Sequence, residues 1–302
     1  MMNTHLDQLS DFYYSEAESW NPAHDNIQAL SVIERKKIDG YSYPLYVQYN
    51  PAREISTMAN VSKEVIRERP CFLCPENRPK SQKSLNFDDN FEILINPFPI
   101  LPFHLTIAAK NHIPQKKLPY SAFDLALKYP GLTVFFNGAK AGASIPDHLH
   151  LQAVRTEDLP LLKFIEKKIR FNGFSIISDS DKLDLASPFL FFTGILDINN
   201  SDYHKNLETV INLGGGRNMG DRELANYFIW TDNENYIRYL VIPRKAHRPE
   251  CYFKTDEERL RVSPGAIDMA GVIVTPFKED FLKINKEKID KIYSQVAFTE
   301  NE

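Results

Sequence analysis

The chain has 302 residues, of which 43% are hydrophobic and 25% charged, and its formal net charge is −4. This length is sufficient for one large domain or two modest ones with a buried core. A slightly acidic chain offers no basic surface for nucleic acid, and no apolar run approaches the roughly 20 residues that span a bilayer. The polar N-terminus does not resemble a secretory signal, and three cysteines do not suggest a disulfide framework. We therefore expect a cytoplasmic protein without a nucleic-acid or membrane partner.

The first 130 residues predict both helices and strands. Helical apolar spacing, or a polar run ended by a proline, is found in residues 1–40, 61–69 and 120–129. The alternation typical of strands is found in Tyr41–Tyr49, Phe91–Asn96 and Phe103–Ala109. A proline-rich turn joins the last two of these strands, which predicts a hairpin.

A cysteine pair precedes that hairpin. Cys71 and Cys74 have the two-residue gap that lets both sulfurs reach one metal ion. One pair is only half of a tetrahedral site, so two buried, reduced thiols are an alternative interpretation. Asn77 and Arg78 follow at once, and they either contact phosphate oxygens or lie in a solvated loop. His112 follows the hairpin, far enough along the chain to return as a third ligand.

The most informative stretch is Gly131–Arg155, which reads as a strand, a turn of small residues and a second strand. In an extended chain alternate side chains share a face, with equivalent atoms roughly 6.5–7 Å apart. His148, His150 and Gln152 therefore point one way, and the intervening leucines point into a core. A solvated strand face that happens to carry two histidines is the alternative, but the adjoining polar and small-residue turn argues against it.

The second part of the chain alternates helices and strands as well. Helical patterns occupy residues 159–170, Tyr203–Ile211 and Lys278–Tyr293, and strand patterns occupy Phe174–Ile177 and Phe189–Thr193. The Gly214–Gly216 loop, with Arg217, is either an anion cradle or an ordinary flexible loop.

The chain also contains an apparent internal repeat. The segment from Phe91 to His112 and the segment from Tyr227 to His247 both read as strand, polar turn, strand, basic residue and histidine. This pattern favours a duplicated α+β unit. The second copy lacks an H-x-H-x-Q strand, and we expect its counterpart in the apolar segment 263–276.

The segment V-F-F-N-G-A-K-A-G-A-S-I-P-D-H-L-H-L-Q resembles the histidine-triad (HIT-like) superfamily. The similar branch holds galactose-1-phosphate uridylyltransferases, dinucleoside-tetraphosphate phosphorylases and GDP-hexose phosphorylases, in which glutamine replaces the third histidine, as at Gln152. The resemblance covers residues 71–155 closely and 225–275 loosely. It implies an α+β fold of tandem duplicated halves, each an antiparallel sheet with flanking helices. We place the catalytic half at 1–160, with 1–65 as an extension, and the half lacking the motif at 161–302.

The resemblance also implies roles for individual residues. His150 corresponds to the nucleophile and Gln152 to the residue that binds the phosphate under attack. Asn137 and Ser144 match positions near the ribose and phosphates. A structural zinc ion is implied at Cys71, Cys74, His112 and His148, with His104 as the reserve ligand.

We therefore predict a nucleotidyltransferase or phosphorylase that acts on a nucleotide sugar or dinucleoside polyphosphate through a nucleotidyl-histidine. The acceptor is phosphate or a sugar phosphate, and a homodimer is one expected assembly. Two alternatives stay open: a nucleotide hydrolase of the same superfamily, and a non-catalytic nucleotide-binding protein. The sequence departs from the uridylyltransferase pattern H-P-H-G-Q by placing leucine at both intervening positions, so the substrate does not transfer with the motif.

Overall fold

The computed structural model describes residues 4–168, 175–177, 187–215, 223–232 and 236–299. Gly216 and Arg217 of the predicted glycine-rich loop lie outside these ranges. The helices are α1 Thr4–Ser19, α2 Asn21–Ala29, α3 Glu54–Thr57, α4 Lys63–Glu68, α5 Ser121–Lys128, α6 Pro160–Lys168, α7 Tyr203–Leu213, α8 Glu250–Phe253, α9 Ala266–Met269, α10 Lys278–Lys283 and α11 Lys286–Val296. None of the helices in the described ranges is long and apolar enough to cross a membrane.

The strands are β1 Glu34–Ile38, β2 Leu45–Tyr49, β3 Leu85–Asn86, β4 Phe91–Ile95, β5 Leu105–Ala109, β6 Leu132–Asn137, β7 His150–Arg155, β8 Ser175–Ile177, β9 Phe192–Leu196, β10 Ala225–Thr231, β11 Ile237–Pro243 and β12 Val272–Thr275. Nine of them form one antiparallel sheet in the order β3-β4-β5-β7-β6-β10-β11-β9-β8. The sheet is covered on both faces, which explains why the residues of β4, β5, β6 and β10 are all buried.

The strand order repeats itself across the sheet. From one edge the first half runs β4-β5-β7-β6, and from the other edge the second half runs β8-β9-β11-β10. In each half the strands therefore lie in the order first, second, fourth, third along the chain. A helix lies between the second and third strand of each set, α5 in the first and α7 in the second. The two sets meet where β6 pairs with β10. This arrangement confirms the predicted α+β fold of two similar antiparallel halves.

The expected pairing of segments within that repeat is wrong. The hairpin β4–β5 supplies the first and second strands of its half, whereas β10–β11 supplies the third and fourth strands of the other half. The counterpart of β7 is therefore β11, and the segment 263–276 does not enter the large sheet. Strand hairpins with a polar turn look alike in sequence, so the pattern alone did not distinguish one hairpin of the unit from the next.

The N-terminal segment packs on the C-terminal one. β12 pairs in parallel with β2, and β2 pairs with β1 to complete a separate three-stranded sheet. Residues 34–38 are thus a strand, although helical spacing was expected up to residue 40. The expected final helix is two helices, because Asn285 interrupts it and caps α11 by accepting the Lys288 N–H. The strand predicted at Phe189–Thr193 begins later, at Phe192.

Candidate active site and metal cluster

His150 opens β7 at the wall of a cavity of about 510 Å³. Its Nδ1 lies 2.8 Å from the carbonyl oxygen of His148. A carbonyl only accepts, so Nδ1 carries the proton and Nε2 of the neutral ring keeps a free lone pair. Burial, together with the nearby His148, lowers the pKa of His150 to about 4. The ring is therefore neutral near pH 7, as a nitrogen nucleophile requires.

Gln152 lies on the same strand face and is oriented by His104. The Nε2 of His104 is 2.7 Å from Oε1 of Gln152, and the Nδ1 of His104 accepts the N–H of Ile100 at 3.2 Å. This pattern makes His104 Nε2 the donor and Gln152 Oε1 the acceptor, so the Gln152 amide NH₂ remains available to a ligand in the cavity. Burial, and then the charge of Arg53, lowers the pKa of His104 to about 3. The structure thus places His104 beside Gln152 and not among the metal ligands for which it was the reserve.

Cys71, Cys74, His112 and His148 converge into one cluster, with one ligand atom from each lying within 4.8 Å of the others. Cys71 Sγ and Cys74 Sγ lie 3.2 and 3.5 Å from His148 Nδ1, and Cys74 Sγ lies 3.2 Å from His112 Nδ1. His148 donates from Nε2 to the carbonyl of Ala109 at 2.7 Å, which leaves Nδ1 to face the sulfurs.

The two thiols oppose each other's ionisation. Burial raises the pKa of the Cys71 thiol, but hydrogen bonds from His148 and from backbone N–H groups outweigh it and lower the pKa. Burial and the adjacent Cys71 raise the pKa of Cys74. A second thiolate is therefore unfavourable beside the first unless a positive ion lies between them. Four soft and borderline donors of this kind suit a tetrahedral, closed metal site.

The other predicted site residues divide into two groups. Asn137, Ser144 and Asn77 line the cavity together with His150 and Gln152. Asn77 also donates from Nδ2 to the Cys71 carbonyl at 3.1 Å, which ties the cavity wall to the cysteine loop. Arg78 is not brought to the cavity: it forms an ion pair with Glu92, and both side chains are largely buried. This pairing argues against the predicted phosphate contact by Arg78.

Three cavity residues escaped the sequence analysis because they come from distant segments. Arg53, in the N-terminal extension, donates to the Phe98 carbonyl at 2.6 Å, and the Asp268 carboxylate, which also lines the cavity, raises its pKa. Burial lowers its pKa to about 10, so it stays positively charged near pH 7. Trp20 lines the cavity with a buried indole N–H that has no partner among the described residues.

The third, His247, follows β11 and lines the cavity from the other half of the sheet. Its Nδ1 accepts the Gly142 N–H at 3.4 Å. Burial lowers the pKa of His247 to about 3, and a backbone hydrogen bond at Ala139 partly opposes this shift. His247 therefore contacts the small-residue turn that precedes β7. Gly142 adopts φ +92°, and a Cβ at that position would lie 2.6 Å from the Pro264 carbonyl oxygen. The turn is thus packed directly against the C-terminal half.

Solved structures of another protein have the same architecture. The structure of yeast Ap4A phosphorylase Apa2 matches with a TM-score of 0.60 and 16% identity, over 92% of this chain and 97% of that one. The same enzyme in complex with Ap4A gives 0.57 at 16% identity, and in complex with AMP 0.56 at 18%, over 92% of this chain and 97% and 96% of those chains. The chain therefore has the fold of this phosphorylase.

Sequence comparisons are more limited. Residues 12–155 match the family model of a domain of unknown function, DUF4922. No curated protein matches the sequence. The likeness to the phosphorylase structures confirms the fold expected from the resemblance at H-L-H-L-Q, while the roles of the individual residues stay predictions.

Proposed function

We propose that the protein is a nucleotidyltransferase or phosphorylase that forms a covalent nucleotidyl intermediate on His150. The observation that carries this proposal is the commitment of Nδ1 to the His148 carbonyl, which leaves Nε2 unprotonated on a residue that lines a cavity of about 510 Å³. The fold shared with yeast Ap4A phosphorylase, an enzyme solved with Ap4A and with AMP, supports it.

In the first step His150 Nε2 attacks the α-phosphorus of a nucleoside diphospho-compound. The N–P bond forms as the bond from the α-phosphorus to the bridging oxygen breaks, and the distal part leaves with the electron pair on that oxygen. The ring becomes cationic, and its Nδ1–H remains donated to the His148 carbonyl. In the second step an oxygen of phosphate or of a sugar phosphate attacks the same phosphorus and releases the neutral imidazole.

Two groups are placed to stabilise the charge that develops on the phosphate. The Gln152 NH₂, turned by His104 toward the cavity, can donate to a non-bridging oxygen. Arg53 also lines the cavity and carries a positive charge, which the Asp268 carboxylate in the same lining partly offsets. Glutamine cannot shuttle a proton as histidine can, which favours transfer to an acceptor over hydrolysis.

We also propose that the cysteine–histidine cluster holds Zn²⁺ through Cys71, Cys74, His112 and His148. The ion would supply a closed, structural cross-link with no open position for substrate. The ion would join the loop of Cys71 and Cys74 to His112, which precedes the small-residue turn in the chain, and to His148, which follows it. We also propose that the chain divides into halves at 1–160 and 161–302.

The test is a tracer experiment with substrates labelled at the α-phosphate. ATP, GDP-hexose, UDP-hexose and a dinucleoside tetraphosphate are each incubated with the protein, with phosphate, a sugar phosphate or no acceptor. We expect acid-labile, alkali-stable label on the protein and its release as product when the acceptor is added. Release to water alone would make the protein a hydrolase. Nucleotide binding without any labelling would make it a binding protein and contradict the proposal.

A further inference from the structure

The pairing of β6 with β7 stops where the proposed nucleophile begins. These strands pair from Leu132 opposite Arg155 to Phe135 opposite Gln152. Continuation of that register would place Asn137 opposite His150. Both of these residues line the cavity, and on the β6 side the backbone of His150 has no strand partner. Its polar groups must be satisfied in some other way, because they are buried.

Gln115 fills this opening. Its Oε1 accepts the His150 N–H at 2.8 Å, and its Nε2 donates to the His150 and Asn137 carbonyls, both at 2.9 Å. The side chain is fully buried. One amide thus replaces the missing strand contacts on both sides of the gap. Only an amide offers this combination of one acceptor and two donors at the end of a short flexible chain.

The segment that carries Gln115 is itself anchored beside β7. The Gln115 N–H donates to the Pro146 carbonyl at 3.1 Å, and the Leu149 N–H donates to the Ile113 carbonyl at 2.6 Å. His112, in the metal cluster, precedes this segment. The position of Gln115 is therefore fixed by its own backbone hydrogen bond and by that of Ile113 two residues earlier.

We propose that Gln115 is a positioning residue that holds β6 and β7 apart and fixes the backbone of His150 for attack on the α-phosphorus. It touches no substrate and acts through His150. Displacement of a reacting group by about 1 Å costs on the order of a hundredfold in rate, so loss of this support should slow formation of the intermediate more than it weakens nucleotide binding. This inference rests on the function proposed above.

The test compares Gln115→Met with a control at the opposite end of the same strand pair. Thr133→Val removes the 2.9 Å hydrogen bond between the buried Thr133 and Thr156 hydroxyls, and it leaves His150 untouched. We expect Gln115→Met to slow the single-turnover labelling of His150 by about tenfold to a hundredfold. Its affinity for a nucleoside monophosphate and its metal content should stay within twofold of the wild type. Thr133→Val should label at close to the wild-type rate.

A labelling rate of Gln115→Met within twofold of the wild type, or no slower than that of Thr133→Val, would overturn the proposal. Gln115→Glu is the second variant, for use if the methionine variant does not fold. It keeps an acceptor for the His150 N–H but sets a carboxylate against two carbonyl oxygens, so its loss should be at least as large.

Hydrogen exchange of the His150 amide separates this proposal from the function on which it rests. The amide should exchange slowly in the wild type and much faster in Gln115→Met, whether or not the protein is ever labelled. Unchanged protection would overturn the positioning role. Absence of label on the wild type, with protection lost in the variant, would overturn the proposed function alone.

Discussion

The two halves of the large sheet have the same strand order but different chemistry. The fourth strand of the first half, β7, carries His150 and Gln152 on its cavity face. Its counterpart β11 is almost entirely apolar and buried, and the histidine that follows it, His247, accepts the Gly142 N–H of the turn 138–144. The first half carries the proposed reactive groups, and the second half packs against the turn 138–144 that precedes them.

The difference shows that strand topology alone does not produce a site. In the first half the metal cluster and Gln115 brace the start of β7, so a polar strand end can be held open at the cavity. In the second half β11 continues into the core without such an opening.

Replacement of the two cavity histidines should separate their roles most strongly. His150→Asn removes the proposed nucleophile and should lower the turnover rate by at least about 10³-fold, which corresponds to more than about 4 kcal/mol. His247→Asn removes a support of the turn and should cost no more than about tenfold. Steady-state kinetics of both variants measures this, and a loss below about tenfold for His150→Asn would place the chemistry elsewhere.

Replacement of a cysteine in the first half should affect metal content and stability, whereas replacement of the cysteine in the second half should not affect metal content. Cys74→Ser is expected to abolish stoichiometric zinc and to lower the free energy of unfolding by about 3–5 kcal/mol, because a closed metal site stabilises only the folded chain. Cys251→Ser, at a buried cysteine in the second half, should retain the metal. Elemental analysis and denaturant unfolding provide the readouts. Full zinc content in Cys74→Ser would refute the cluster assignment.

Gln152→Glu tests the donor that the structure assigns to the phosphate. Glutamate can still accept the His104 N–H, but it has no NH₂ to donate and it adds a negative charge near the phosphate. We expect the rate of intermediate formation to fall by about 10²-fold, as for loss of one donor in an oxyanion site. Single-turnover labelling measures the change. An equal rate in the two proteins would show that Gln152 does not contact the phosphate.

The smallest effect concerns the packing of the turn against the second half. Both Gly142 and Gly131 have positive φ, but a Cβ on Gly142 would meet the backbone at 2.6 Å, whereas nothing lies within 4 Å of one on Gly131. Gly131→Ala should therefore cost about 1 kcal/mol for the backbone conformation alone. Gly142→Ala should cost about 2–3 kcal/mol, because the wall must also shift. Equal midpoints in urea would argue against tight contact between turn and wall.

The sequence predicted those features of the site that depend on local spacing. The i, i+2 repeat of a strand places His148, His150 and Gln152 in a row, and the two-residue gap of Cys71 and Cys74 predicts a shared ion. Most of the strands and helices followed from periodicity for the same reason. The fold class followed from the apparent internal repeat and from the resemblance of one motif.

The features that were missed depend on contacts between distant segments. Gln115 and Arg53 carry no local signal, since a glutamine after a strand and an arginine in a polar loop are ordinary. The strand at Glu34–Ile38 is mostly charged and polar, and it is defined by its pairing with β2. The counterpart of β7 was predicted in the wrong segment, because the order of strands in a sheet cannot be deduced from the residue spacing within one hairpin.

The most direct measurement is the location of the covalent label. The protein is loaded with the α-phosphate-labelled substrate that the tracer experiment identifies, quenched in alkali and digested, and the labelled peptide is mapped by mass spectrometry. We expect one nucleotidyl group on the peptide that contains His150, as a phosphoramidate that phosphate or a sugar phosphate removes. Label on any other residue, or turnover at full rate without a labelled intermediate, would contradict it.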